Sequence, residues 1–231
     1  MILYDPESVL NLKKYGILIP VAEDRSEQTL LELKRRRGID IAPYSPRPKA
    51  LSFEDLCLAH DLDYIARLFD EELAEREVLS TFALYDEKGE PHRYEPEKAQ
   101  AGLLQLLKEI RQQVAMSYEA MQVALDKGFA YFLGGGMHHG MSFGGRGFCL
   151  LNDMVIGLRK LQEQGRIKTA WVIDVDAHKG DGTAQITFND ESIHTLSIHM
   201  AKGWPVDGPA RDENGELFPW FLPSTVEIPI E

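Results

Sequence analysis

A chain of 231 residues with 44% apolar content and a formal charge of −12 is long enough for one α/β domain and short for two. The acidic balance argues against binding a nucleic-acid backbone, which calls for a basic surface, and it suits cationic partners. No apolar run is long enough to span a bilayer, residues 1–6 lack the basic start and apolar core of a secretion signal, and Cys57 and Cys149 make no disulfide framework. A cytoplasmic protein is expected.

Residues 16–20 read as a first strand and residues 26–37 as a helix, whose basic run Lys34, Arg35, Arg36 and Arg37 complements the helix dipole ahead of Gly38. His60 and Asp61 follow, with Tyr64 and Ile65 three and four positions beyond Asp61. Residues 82–94 are polar, with Gly89 and Pro91, and are expected to form a surface excursion with His92 exposed. Between 97 and 127, Leu103, Leu107, Ile110, Val114, Tyr118, Met121 and Leu125 recur every three or four positions. That period predicts one long amphipathic helix ending at Gly128, with the stripe serving as core.

Strands are predicted at 129–133, 169–175 and 193–199, with a helix at 153–164. Continuous apolar runs in a strand, helix, strand order indicate a parallel sheet covered by helices on both faces. Ligand sites in such sheets gather at the carboxyl ends of the strands. Residues 201–231 give no firm assignment beyond a loop around Asp207 and Asp212, and 226–231 reads like the start of another element.

The chemistry concentrates at two strand ends. Residues 171–175 run into Asp174, Asp176 and His178, followed by Lys179, Gly180, Asp181, Gly182 and Thr183. Alternate positions on an extended chain share a side, so the two carboxylates and the imidazole converge. Oxygen ligands plus one imidazole nitrogen suit a divalent ion, zinc first, with Mn2+ or Fe2+ as alternatives. The competing reading is that the aspartates merely cap the next helix.

Upstream, 131–133 ends in Gly134, Gly135 and Gly136, then Met137, His138, His139 and Gly140. A histidine pair is more often structural than functional, but two after a glycine-rich strand end suit a site. Arg146, Gly147, Phe148 and Cys149 come next, where glycine lets the backbone pass close to a neighbour, and a helix starts at Asn152 or Asp153. Cys149 reads more readily as a buried inert thiol than as a reactive one.

The histidine pair, Gly147-Phe148-Cys149 with Asn152-Asp153, the Asp174-x-Asp176-x-His178-x-Gly180-Asp181-Gly182-Thr183 run and Ser197-Ile198-His199, in that order, resemble the metal-dependent histone deacetylase and acetylpolyamine amidohydrolase superfamily. The resemblance is densest over 131–200 and extends to the His60, Asp61, Tyr64 and Ile65 element. It implies a three-layer α/β/α architecture with a central, mostly parallel sheet of arginase/deacetylase type, with residues 1–231 as the N-terminal two-thirds of a single domain.

The resemblance also implies Asp176 and His178 as zinc ligands, Asp174 and Asp181 as the partners that orient His138 and His139, His139 as general base and later acid, and His138 as a supporting electrostatic group. Gly147 and Phe148 would line a tunnel for an acyl-lysine or acyl-amine chain, with Trp204 as opposite wall. A structural K+ or Na+ would lie against Asp174, Asp176, His178, Ser197 and Ile198, and a second against Thr187, Asp190 and Ile193.

The family's third zinc ligand, a later aspartate, and a later tyrosine that polarises the amide carbonyl have no counterpart after Met200. The 231 residues alone are therefore expected to bind zinc weakly and catalyse little. The expected function is zinc-dependent removal of an acyl group, foremost acetyl, from a lysine side chain or a primary amine such as a polyamine. The alternative is a non-catalytic deacetylase-like interaction module. A binuclear manganese ureohydrolase ranks last, because it needs an aspartate-rich ligand set and the position four beyond Asp174 is His178. No nucleic-acid or membrane partner is expected, and the sequence leaves oligomeric state open.

Overall fold

The computed structural model describes residues 1–19 and 24–231. Five strands, β1 (Ile2–Leu3), β2 (Tyr131–Phe132), β3 (Ala170–Asp174), β4 (Ile193–Met200) and β5 (Val226–Ile230), pair in parallel throughout. They form two separate sheets, β1-β2 and β3-β4-β5. Around them lie α1 (Arg25–Arg37), α2 (Phe53–Cys57), α3 (Leu62–Phe69), α4 (Glu71–Thr81), α5 (Leu103–Lys127), α6 (Asp153–Glu163) and α7 (Asp181–Ile186).

The central support is α5, whose apolar stripe buries Leu103, Leu107, Ile110, Val114 and Tyr118 against α6 and the α3-α4 pair. It starts at Leu103 and not at 97. Pro96 opens a separate 3-10 turn (Pro96–Lys98), and Gly102 stands extended at the N-cap (φ −76°, ψ 156°), so the chain enters α5 afresh. Gly128 closes it in the left-handed region.

Residues 16–19 do not form the expected first strand, and Pro20 lies outside the described residues. Gly16 (φ +74°) ends a 3-10 turn, Leu12–Tyr15, with the Glu95 carbonyl against its Cα, and Ile17 makes a single antiparallel bridge to Tyr94. The apolar run is instead a core-filling loop, with Ile17 and Ile19 buried. The 82–94 excursion is likewise anchored from within by buried Phe82 and Leu84, while His92 is exposed as expected.

The α/β class with parallel sheets holds, but in the three-stranded sheet β3 and β4 are covered on one face and β5 is exposed along its length. Val172, Ile193, Thr195, Ser197 and His199 point into the molecule. On the reverse face Trp171, Ile173, Val226, Ile228 and Ile230 are exposed, because no described helix packs over them. Parallel sheets ordinarily bury both faces.

Candidate active site

β3 ends at Asp174, so Asp176 and His178 do not ride on an extended strand as alternation suggested. Two successive side-chain turns gather them instead: Asp174 Oδ1 accepts from the Asp176 amide (3.0 Å), and Asp176 Oδ1 accepts from the His178 amide (2.8 Å). His178 Nδ1 then lies 3.2 Å from Asp176 Oδ1. Burial alone would raise the Asp176 carboxyl, but these hydrogen bonds and the neighbouring histidines lower it below the ordinary value.

The tandem histidines follow β2 and lie 3.9 Å apart between ring centroids, tilted at 44°. His138 Nδ1 donates to Asp174 Oδ2 and His139 Nδ1 to Asp181 Oδ1, each at 2.6 Å. Both imidazoles are thereby fixed in one tautomer, with Nε2 the free nitrogen. Burial pulls both basicities down. At His138 the Asp174 hydrogen bond and the charges of Asp174, Asp176 and Asp181 outweigh it and the pKa is raised, whereas at His139 burial prevails and the pKa is lowered. Asp181 opens α7, where Gly182 is required by contact: a Cβ there would fall 2.4 Å from the Gly140 carbonyl oxygen and 2.5 Å from the His139 carbonyl carbon.

Arg146 to Cys149 form a tight turn with Gly147 (φ +54°) and Phe148 (φ +69°) at its centre, the signature of a type I′ turn. A Cβ on Gly147 would meet Trp204 at 2.4 Å and His139 at 2.7 Å. Trp204 stands edge-on to His139 (4.5 Å) and His178 (5.7 Å), and Phe148 packs on Phe82 (5.9 Å). These residues, with His138, Asp176 and Arg146, line one cavity of about 1070 Å³. Cys149 is buried, which pushes its thiol up to about 12, out of nucleophilic range.

Three residues whose contacts the sequence did not reveal hold this floor. Asp153, at the first turn of α6, accepts from the Gly136 and Met137 amides (3.0 and 2.7 Å) and from Ser117 Oγ (2.5 Å). Asn152 donates to Thr183 Oγ1 (2.9 Å). Arg146 reaches Asp181 Oδ2 at 3.5 Å, an oxygen with no hydrogen bond of its own.

The His60 element proves to be a clamp. Tyr64 Oη donates to the Leu150 carbonyl (2.6 Å), His60 Nδ1 donates to the Met141 carbonyl (2.8 Å), and His60 Nε2 accepts from the Asn152 amide (3.0 Å). Burial holds His60 neutral, with its pKa down to about 4 from 6.5. The unfolded chain takes up this proton first as the pH falls, so the His60 contribution is complete above about pH 6.5 and is lost toward pH 4, roughly 3 kcal/mol in all. Thermal unfolding from pH 7 to 4.5 should fall more steeply for wild type than for His60→Gln; parallel curves would refute the clamp's titration.

Asp176 and His178 suit a shared divalent ion in donor type and approach. Among the described residues, however, no group of three histidines, cysteines or acids is gathered that could hold a metal ion. The chain thus offers two donors where a catalytic zinc takes three. At the expected cation positions, Asp174 lies opposite Ser197 in the β3-β4 register, and Ser197 Oγ lies 3.0 Å from His199 Nδ1. Thr187 and Asp190 line a shallow pocket of about 380 Å³, and Asp190 is held by Ser192 and by Arg159 at 3.4 Å.

Residues 19–228 match the model of the histone deacetylase domain, and the chain belongs to that family. It is 41% identical over 71 residues to a probable deacetylase of Archaeoglobus fulgidus, covering 31% of this chain and 20% of that protein. It is 39% identical over 67 residues to the acetoin utilization protein AcuC of Bacillus subtilis, covering 29% and 17%. The crystal structure of an HDA15 HD domain superposes with a TM-score of 0.62 at 18% identity, covering 98% of this chain and 61% of that one. The fold is that of the arginase/deacetylase class. The aligned segments span 17–20% of these two curated proteins.

Proposed function

We propose that the protein is a zinc-dependent amidohydrolase that removes an acyl group, foremost acetyl, from a lysine side chain or a primary amine. The observation that carries this reading is the pair of adjacent, carboxylate-backed imidazoles beside Asp176 and His178 on one cavity wall. Bound at Asp176 and His178, zinc would supply an acidified water and polarise the amide carbonyl. Asp181 holds the Nδ1 proton of His139, so His139 Nε2 takes the proton of the attacking water and returns it to the leaving nitrogen. His138, paired with Asp174, presents its Nε2 beside it as an electrostatic support. Phe148 and Trp204 hold the acyl-bearing chain and exclude water. The cation set at Asp174, Asp176, His178, Ser197 and Ile198 belongs to the same reading.

The bare face of β3, β4 and β5 supports taking residues 1–231 as the N-terminal part of one deacetylase-like domain, completed by polypeptide packed on that face. The free thiols of Cys57 and Cys149 suit a cytoplasmic location. The two-donor set favours one competing reading, a deacetylase-like module that binds without catalysing. Zinc content and acetate release from an acetyl-lysine peptide and from N-acetylputrescine, measured together, separate the two. Bound zinc that Asp176→Asn removes, accompanied by acetate release, is the expected result. A chain extended to the complete domain that still takes up no zinc and releases no acetate would establish the binding module.

A further inference from the structure

The cavity carries a charge pattern opposite to that of the chain. Its described lining residues include three arginines, Arg25, Arg93 and Arg146, and a single carboxylate, Asp176, in a protein of net charge −12. Arg25 and Arg93 are exposed, Arg146 is half-buried, and the carboxylates of Asp174 and Asp181 stand behind the lining histidines, so the excess of cationic groups lies on the cavity surface, where it acts on a bound ligand directly.

Arg146 lies nearest the imidazole pair. Its guanidinium carbon is 4.4 Å from the Trp220 ring centroid and 5.3 Å from that of Trp204, the ring that stands edge-on to His139. Its one ionic contact runs from Nε to the buried Asp181 at 3.5 Å. Both terminal nitrogens are without an acceptor among the described residues. Two indoles and a carboxylate thus fix the guanidinium plane in advance and leave its fork open, the geometry that binds a carboxylate through two parallel hydrogen bonds. Arg93 lines the same cavity, without an ionic partner among the described residues, and its backbone is held at φ +55°. Such a left-handed conformation in a non-glycine residue costs energy and persists where surrounding structure fixes it.

We propose that Arg146, assisted by Arg93, makes the site selective for acylated amines whose other end bears a carboxylate. This deepens the amidohydrolase reading and rests on it. It also reverses the expectation of cationic partners drawn from net charge, because the sum over the surface does not describe the cavity. The carboxylate belongs either to a free acyl-amino acid or to an acidic residue beside an acyl-lysine. Arg146 serving only to balance Asp181 would weaken binding of every ligand alike and create no preference.

The test is equilibrium binding to the whole chain by calorimetry, with acetate release followed in parallel. The probes are N-acetyl-ε-aminocaproate against N-acetylcadaverine, alike in chain length and opposite in end charge, and an acetyl-lysine peptide flanked by glutamates against one flanked by lysines. The acidic member of a pair should bind roughly 10- to 100-fold tighter, the scale of one or two charge-assisted hydrogen bonds. Arg146→Gln should bring that ratio near one, Arg146→Lys should keep part of it, and the exposed Arg93→Gln should reduce it modestly. The pair that shows the preference identifies the source of the carboxylate. Equal or reversed binding in the wild type, or a preference that survives Arg146→Gln, overturns the inference; if acetate is still released, the amidohydrolase reading stands. A preference that depends on Arg146 without acetate release from any probe upholds the anion site and overturns hydrolysis. No binding of any probe overturns both.

Discussion

In the complete domain, His139→Ala is expected to lower amide hydrolysis about 10²- to 10⁴-fold, the range for loss of a general acid-base group, while leaving bound zinc nearly unchanged. The imidazole lies against the cavity, is 4% exposed, and is backed by an aspartate that is wholly buried. No other side chain near it combines a free ring nitrogen with a tautomer fixed by a fully buried partner. His138 shares the geometry but leans on Asp174, which also receives the Asp176 amide, so the two histidines are not equivalent. Rates and zinc content of the two alanine variants check this. If His139→Ala kept most of the wild-type rate, the base would have to be sought elsewhere.

Asp153→Ala is expected to destabilise the protein by about 3–5 kcal/mol. The carboxylate is 1% exposed and takes three hydrogen bonds, two of them from the backbone of the loop that leads into His138. Truncation strands those donors in the interior, at roughly 1–3 kcal/mol each, and loosens the loop that sets the imidazole pair. For a chain of this size such a loss lowers the melting temperature by about 6–20 °C. Thermal and urea unfolding of Asp153→Ala beside Asp153→Asn measures it. A melting temperature within a degree of wild type would show that the loop is held by something else.

Much of the site could be read from spacing. The order of the histidine pair, the Gly147 turn and the Asp174 to Thr183 run, matched to the family it resembles, led to residues that the fold brings together, the first and last of them at the ends of the parallel strands β2 and β3. Trp204 is expected as the opposite wall from the resemblance alone, and the fold sets it against both His139 and His178. What could not be read depends on contacts between distant segments. Arg146 and Trp220 meet through a loop with no periodicity. Asp153 looked like a helix start, and its second task of holding 136–137 has no local signature. The run at 16–19 was apolar enough for a strand, yet the left-handed Gly16 and the neighbouring 93–100 loop claim its backbone. Covering of both sheet faces was inferred from apolar continuity, which reports how a strand is to be buried and not which polypeptide buries it.

The β1-β2 pairing has a bearing on the order in which this molecule is assembled. The amino group of Met1 donates to the Phe129 carbonyl, a partner 128 positions away, and Leu3 is completely enclosed beside it. During vectorial synthesis at about 5–20 residues per second, the opening residues wait roughly 6–26 s before their partner strand has even been made. Throughout that interval Leu3 has no native enclosure, so a side chain made early must wait, exposed, for a strand made more than a hundred residues later.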